Sequence, residues 1–158
     1  MTKIIPHLWY ARDAEAAARF YVSLLPDSRI DSVDTLPSDS PSGPAGSVTM
    51  VRFTLAGQPF QAIGAGPLDP FNHAVSFVIA CDDQAEIDRL WAAILAHGGT
   101  AEQCGWIRDR YGLCWQIVPR VFPEMMADGD RARAGRVAQA MLKMVKFDIA
   151  ALQAAYQG

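Results

Sequence analysis

The sequence predicts an α+β fold made of two β-α-β-β-β modules followed by C-terminal helices. Short strand-like runs alternate with two amphipathic helices, and the order of these elements repeats after about 70 residues. The modules cover about residues 4–64 and 73–118, and a helical tail covers about 123–158. We expect a single domain over residues 1–158.

The first module begins with a weakly alternating strand over residues 4–10. Asp13 is placed to cap the helix that follows, whose apolar residues recur at helical spacing until Pro26 ends it. A loop rich in Pro, Ser and Gly lies at 37–46. Three strands complete the module, and they are predicted at residues 29–36, 48–55 and 60–63.

The second module repeats this order. A strand at 74–80 leads into a helix that Asp82 or Asp83 caps and that ends near Gly98. Three short strands follow, and they are predicted at residues 100–104, 106–108 and 113–118. The apolar spacing of the tail predicts two helices, at residues 128–146 and 147–156.

Composition and charge exclude several classes of protein. Hydrophobic residues make up 51% of the chain, and the net charge is −3, so we expect no nucleic-acid partner. The longest apolar run, at residues 90–96, is too short to span a bilayer, and the N-terminus lacks a signal-peptide pattern. The three cysteines lack the spacing of a disulfide framework, which predicts reduced thiols and a cytoplasmic protein without a membrane partner.

Several segments carry a resemblance to a known family. They are Pro6–Tyr10 ahead of Phe20–Tyr21, Cys104–Asp109, Tyr111–Pro119, and Met141–Met144 ahead of Phe147–Ala150. With them the chain resembles the PhnB-like branch of the glyoxalase/bleomycin-resistance/dioxygenase superfamily, also called the vicinal-oxygen-chelate superfamily. The domain of this branch carries the name 3-demethylubiquinone-9 3-methyltransferase. The resemblance covers nearly the whole chain. It implies that the paired modules form a cupped mixed sheet and that a ligand binds in the cup.

The resemblance also maps the positions at which metal-using members of the superfamily place their four ligands. In this sequence the four positions hold Pro6, Gln61, Ser76 and Gln116. Proline has no side-chain donor, and hydroxyl and amide groups are poor ligands for the metals concerned. His7 and His73 have the wrong strand parity for these positions, and His97 ends a helix. We therefore expect no bound metal and no cofactor.

Strand alternation predicts which side chains line the cup. In the last strand Trp115 and Ile117 are expected to face the helices, which turns Gln116 toward the cup. The cup-facing residues of the first, fifth and last strands are Pro6, Leu8 and Tyr10, then Ala74, Ser76 and Val78, then Cys114, Gln116 and Val118. The residues predicted to contact a ligand are Tyr10, Ser76, Cys104, Trp106, Cys114 and Gln116.

Several of these residues have a structural interpretation beside the functional one. Cys104 is either a nucleophile or a small buried apolar residue. Trp106 either stacks on an aromatic ligand or packs in the core. Asp109 is either a general base or the residue that begins a turn. Gln116 is either ligand-facing or hydrogen-bonded within the protein.

From these observations we expect a metal-free, glyoxalase/bleomycin-resistance-like homodimer that binds a small apolar or aromatic molecule in the cup. One alternative is a superfamily enzyme of the isomerase, lyase or dioxygenase type, and another is an assembly role of the tail helices. A third is the methyltransferase that the family name implies. For that activity a glycine-rich strand-to-helix turn is lacking, because Gly64–Pro67 leads into a linker.

Overall fold

A computed structural model describes residues 2–158 of the chain. The chain divides into two compact units, Met1–Pro70 and Phe71–Gly158. Each unit contains a four-stranded mixed sheet with a helix against it, and the second also contains the helical tail. The predicted α+β class, with two β-α-β-β-β modules and C-terminal helices, is confirmed. The single domain over residues 1–158 stays a prediction.

The first unit is one sheet with one helix. Its elements are β1 His7–Tyr10, α1 Ala14–Leu24, β2 Arg29–Thr35, β3 Thr49–Leu55 and β4 Gln58–Gly64. The strand order is β1-β4-β3-β2, in which β1 and β4 are parallel and the other pairs are antiparallel. Between β3 and β4, Ala56 and Gly57 have φ angles of 45° and 79°, the left-handed conformation that a two-residue hairpin turn requires.

The second unit repeats this topology. Its first elements are β5 Ser76–Cys81, α2 Gln84–Ala96, β6 Thr100–Ala101, β7 Trp106–Arg108 and β8 Cys114–Pro119. The strand order is β5-β8-β7-β6, again with a parallel first pair and antiparallel pairs after it. The predicted internal repeat is therefore confirmed in strand order and in strand direction.

Helices α1 and α2 pack on the sheets because their apolar side chains recur about once per helical turn and so lie on one face. The buried residues are Ala14, Ala17, Ala18, Tyr21 and Leu24 in α1, and Ile87, Leu90, Trp91 and Ile94 in α2. Asp83 caps α2 as predicted, because its carboxylate accepts the backbone N–H of Glu86 at 2.8 Å. Asp13 precedes α1, but its side chain makes no capping hydrogen bond there.

The tail contains three helices where the sequence predicted two. They are α3 Val121–Met126, α4 Arg131–Met141 and α5 Ile149–Gln157. Helix α3 contains Pro123, which is tolerated because the first turn of a helix needs no backbone N–H at that position. Helix α4 ends at Met141 instead of continuing to Lys146. Within residues 2–158, no helix is long and apolar enough to cross a membrane.

The segment between α4 and α5 is bonded to the turn before β7. The backbone N–H of Cys104 donates to the carbonyl oxygen of Met144 at 2.9 Å. That of Gly105 donates to the carbonyl oxygen of Val145 at 2.7 Å. Buried Phe147 lies against Gly105, whose φ of 81° and missing side chain make room for the ring. The tail is therefore part of the core of the second unit.

Candidate functional site

Each sheet has one face against its helix and a far face on the opposite side. On the far face of the second sheet, Gln116 of β8 lies opposite Val78 of β5 and Trp106 of β7. The side-chain amide nitrogen of Gln116 donates to Ser76 Oγ at 2.9 Å. The predicted orientation of β8 is confirmed, because Trp115 is buried on the helix side. Gln116 is thus bonded within the protein through its amide nitrogen.

The two cysteines of the predicted ligand set differ in position. Cys114 begins β8 opposite Ser76 and is buried. Burial, with a smaller contribution from Glu102, raises the pKa of the Cys114 thiol, which disfavours a thiolate nucleophile. Cys104 lies outside the strands, in the turn before β7, with a φ of 58° and a half-buried side chain. The nucleophile interpretation of Cys104 stays a prediction.

Trp106 belongs to a polar cluster that the sequence analysis missed. His73 Nε2 lies 2.8 Å from Glu102 Oε2, and the His73 ring centre lies 6.0 Å from that of Trp106. Arg108 Nε lies 3.7 Å from the other carboxylate oxygen of Glu102. The parity argument for His73 was wrong, because this residue precedes β5 and lies in irregular chain. The one available signal was the alternation of β7, which turns Trp106 and Arg108 to the far face.

In the first sheet, the face predicted for Tyr10 is wrong. Tyr10 is 4% exposed, and its hydroxyl lies 3.0 Å from that of Tyr21 on α1, so its side chain faces the helix. Leu8 is buried on the same face. His7 therefore turns to the far face, where it lies opposite Gln61 of β4. Tyr10 is thus separated by the thickness of its own sheet from the far-face residues of the first unit.

His7, and not Pro6, is the far-face residue of the first strand. Pro6 precedes β1, which begins at His7. A depression of about 310 Å³ lies beside His7, and its other lining residues are Asp34, Met50, Val51, Arg52, Gln61, Ala62 and Ile63. Arg52 donates from Nε to Ser32 Oγ at 2.9 Å, and its guanidinium lies 3.8 Å from the Asp34 carboxylate. The far face of the first sheet therefore carries paired charges.

The far-face residues do not match the metal ligands of the superfamily. The first sheet offers His7 beside Gln61. The second offers Ser76 hydrogen-bonded to Gln116. An imidazole with one amide on the first sheet, and a hydroxyl with one amide on the second, are each a poor donor set for metals that prefer imidazole, carboxylate or thiolate. Among residues 2–158, no three His, Cys, Asp or Glu side chains form a group that could hold a metal ion.

Asp109 acts as a structural residue. It is buried, and one carboxylate oxygen accepts the backbone N–H groups of Tyr111 and Leu113 at 2.8 and 3.1 Å. The other oxygen accepts the indole N–H of Trp115 at 3.0 Å. The interpretation of Asp109 as a turn residue is confirmed, because these bonds fix the turn before β8 and tie it to the core.

The segment Gly64–Pro67 does not form the turn that a nucleotide-type methyl donor would need. It begins at the last residue of β4 and leads toward β5, and no helix begins there. The carbonyl oxygen of Gly66 accepts the indole N–H of Trp9 at 2.9 Å. The residues therefore give no support to methyl transfer at this turn.

Comparisons with known proteins identify the family. A family model described as 3-demethylubiquinone-9 3-methyltransferase matches residues 2–118. The structure of a PhnB protein from Bacillus cereus, which carries the same methyltransferase name, is 28% identical to this chain with a TM-score of 0.64. The similarity covers 75% of this chain and 99% of that one. The family match ends before the tail, so the resemblance in Met141–Met144 stays a prediction.

Two more distant structures share the fold alone. The fosfomycin resistance protein FosX from Mesorhizobium loti is 11% identical with a TM-score of 0.51, over 75% of this chain and 92% of that one. The trypanothione-dependent glyoxalase I from Leishmania major is 14% identical with a TM-score of 0.52, over 85% of this chain and 99% of that one. No curated protein matches the sequence significantly.

Proposed function

We propose a function from the premise that the chain belongs to the family named 3-demethylubiquinone-9 3-methyltransferase, within the glyoxalase/bleomycin-resistance superfamily. The chain is a glyoxalase/bleomycin-resistance-like protein. Our proposal is that it binds a small apolar or aromatic molecule without a metal, on the far face of the second sheet. The observation that carries this proposal is the hydrogen bond between Gln116 and Ser76 beside Trp106.

The chemistry of this surface defines the ligand. The amide nitrogen of Gln116 is used by Ser76, which leaves the amide oxygen as an acceptor and the serine O–H as a donor. Half-buried Trp106 offers an aromatic surface, and Val78, 58% exposed, offers an aliphatic one. A planar apolar molecule with one or two polar groups matches such a lining. Cys114 is the adjacent far-face residue of β8.

Of the other residues predicted to contact a ligand, this proposal keeps Cys104 and omits Tyr10. Cys104 remains in the set, as a residue of the turn that leads into β7. Tyr10 is left out, because its hydroxyl is directed to Tyr21 on the helix side of the first sheet. The distant structures named for fosfomycin resistance and for glyoxalase I support a small molecule as the class of ligand, and they do not identify it.

We propose further that the protein is a cytoplasmic homodimer. Exposed apolar side chains, among them Val75 beside the edge strand β5 and Leu142 and Val145 in the tail, supply surface for a second copy. The free thiols of Cys81, Cys104 and Cys114 suit a reducing compartment. Light scattering after size exclusion should give twice the chain mass of 17.2 kDa, and a concentration-independent monomer would refute the dimer.

The ligand proposal is tested by screening small aromatic compounds for thermal stabilisation of the wild type and of Gln116→Leu. The substitution should weaken binding by about 0.5–1.5 kcal/mol, or roughly two- to twelvefold, because one hydrogen bond is lost. Gln139→Leu, at an exposed position of α4, is the matched control and should bind like the wild type. If the compounds stabilise all three proteins equally, Gln116 is not part of the site.

The absence of metal is tested on the purified wild type by elemental analysis. We expect far less than one equivalent of any transition metal, because the donor groups on each sheet are poor metal ligands. A stoichiometric metal that survives dialysis and is lost in His7→Ala would overturn this part of the proposal.

A further inference from the structure

We propose that the first unit carries a separate oxyanion site, which takes a phosphate or sulfate group either as the free ion or as the end of a small ester. The site is a depression of about 310 Å³ that Arg12 lines, and it does not depend on the function proposed above. Its other lining residues are Ala11, Ser42, Ser47, Thr49, Gly64, Ala65, Gly66 and Pro67.

The charge of the site comes from Arg12 alone. Each of the other three arginines of the first unit has a carboxylate partner. The pairs are Arg19–Glu15 at 2.7 Å, Arg29–Asp31 at 2.8 Å and Arg52–Asp34 at 3.8 Å. Within residues 2–158, the guanidinium of Arg12 makes no hydrogen bond, ion pair or ring contact. No carboxylate lines the depression. A guanidinium left without a counter-charge beside a polar depression favours an anion there.

Hydroxyl groups supply the remaining donors. Ser47 Oγ already donates to the carbonyl oxygen of Pro44 at 2.6 Å. The hydroxyls of Ser42 and Thr49 take part in no hydrogen bond among residues 2–158. The planar donor fork of Arg12 and two hydroxyls together match the several acceptor oxygens of a phosphate or sulfate group.

The walls of the depression are fixed by hydrogen bonds that do not involve these donors. In the loop before β3, Ser40 and Gly43 exchange backbone hydrogen bonds at 2.9 and 3.0 Å, and Gly46 donates to Leu36 at 2.8 Å. At the end of β4, a side chain on Gly64 would come within 3.2 Å of the backbone oxygen of Arg12. Glycine therefore lets the turn that carries Arg12 lie against the strand end. The backbone that forms the walls is therefore held in place before any ligand arrives.

The test titrates inorganic phosphate into the full-length, ¹⁵N-labelled protein at constant ionic strength and follows the backbone amides by NMR. Saturable shifts are expected at Ser42, Thr49 and Gly66. Arg12→Gln should weaken phosphate binding about tenfold, because charge-assisted hydrogen bonds are lost. This variant should fold normally, since the Arg12 side chain is exposed and makes no hydrogen bond, ion pair or ring contact among residues 2–158. Arg19→Gln, which removes an exposed arginine of α1, should leave phosphate binding unchanged.

Two further titrations distinguish the source of the anion. If glycerol 3-phosphate binds more tightly than inorganic phosphate, the natural ligand is an ester; if it does not, the free ion is the ligand. Shifts that do not saturate, that lie at other amides, or that persist at the same affinity in Arg12→Gln would overturn the proposal. Equal weakening in Arg12→Gln and Arg19→Gln would also overturn it, because the effect would then be one of net charge.

Discussion

The two modules share their strand order, a parallel first strand pair and a helix against one face, yet their far faces carry different chemistry. In the first sheet a histidine lies beside Gln61, and an arginine beyond it is paired with Asp34. In the second sheet Gln116 is bonded to a serine and lies beside a tryptophan. A repeated backbone thus does not repeat its chemistry, because far-face side chains do not pack in the helix-covered core of each module.

The helix-facing sides differ as well. In the first module, a hydrogen bond between the hydroxyl groups of Tyr10 and Tyr21 joins the helix to the sheet, in addition to the apolar packing. The second module buries the carboxylate of Asp109 and the indole of Trp115 as a hydrogen-bonded pair. The buried hydrogen bonds thus differ between the modules. Removing one should lower the free energy of unfolding by a different amount in each module.

The largest effect is expected in the second module, from Asp109→Ala. The substitution leaves three N–H donors without their acceptor in a buried environment, so the free energy of unfolding should fall by about 3 kcal/mol or more. Urea denaturation measures the change. Asp39→Ala removes an exposed carboxylate of the first module that accepts one backbone N–H, and it should cost about 1 kcal/mol or less. Equal losses in the two variants would contradict the structural role of Asp109.

A pH effect is also expected in the second module, which contains all three cysteines. Burial raises the pKa of the Cys81 thiol from 9.0 to about 12. The unfolded chain therefore loses this proton at lower pH than the folded chain, so the stability is complete below pH 9 and is lost as the pH rises toward 12. Between these two pKa values, this thiol should lower the free energy of unfolding by up to about 1.4 kcal/mol for each pH unit.

The free energy of unfolding is measured from about pH 8 to about pH 11, the range over which thiols titrate. Cys81→Ala should flatten the alkaline fall relative to the wild type. Val78→Ala, at an exposed position of the same strand, is the control, because it removes no titratable group, and its curve should run parallel to that of the wild type. Parallel curves for all three proteins would show that Cys81 is not responsible.

The smallest effect is expected in the first module, from Tyr10→Phe. Loss of one hydrogen bond between hydroxyl groups should cost about 0.5–1.5 kcal/mol. Binding of any compound found in the screen should be unchanged, because Tyr10 faces the helix. A weakened ligand affinity in Tyr10→Phe, with stability intact, would restore Tyr10 to the binding surface and contradict the orientation described for β1.

The contrast between β1 and β8 shows what strand alternation can predict. In β8 the apolar residues Trp115 and Ile117 define the helix face, so the position of Gln116 followed correctly. In β1 both alternating sets contain apolar residues, and the contact that decides between them, with Tyr21, lies on another element. Alternation establishes that two side chains lie on opposite faces, and a tertiary contact decides which face is which.

The remaining differences between the predictions from sequence and the structure also have local causes. The pair His73 and Glu102 was missed because both residues lie outside the strands and are far apart in sequence, so no periodicity connects them. Helix α3 was missed because its six residues are too few to show a helical repeat of apolar side chains, and its Pro123 is a residue that a helix accepts only in its first turn. Element order was predicted well because it depends on long apolar patterns, whereas these features each depend on one or two contacts.

The contact between Phe147 and Gly105 changes where the second module ends. The family match stops at residue 118, but the ring of Phe147 fills space beside β7 that no residue inside the match occupies. Gln84 of α2 also donates to the Phe147 carbonyl at 3.0 Å and accepts the N–H of Ile149 at 2.9 Å. A gene fragment cut at the family limit would therefore encode a module lacking one wall of its core. For this chain, the boundary inherited from its relatives is shorter than the physical unit that folds.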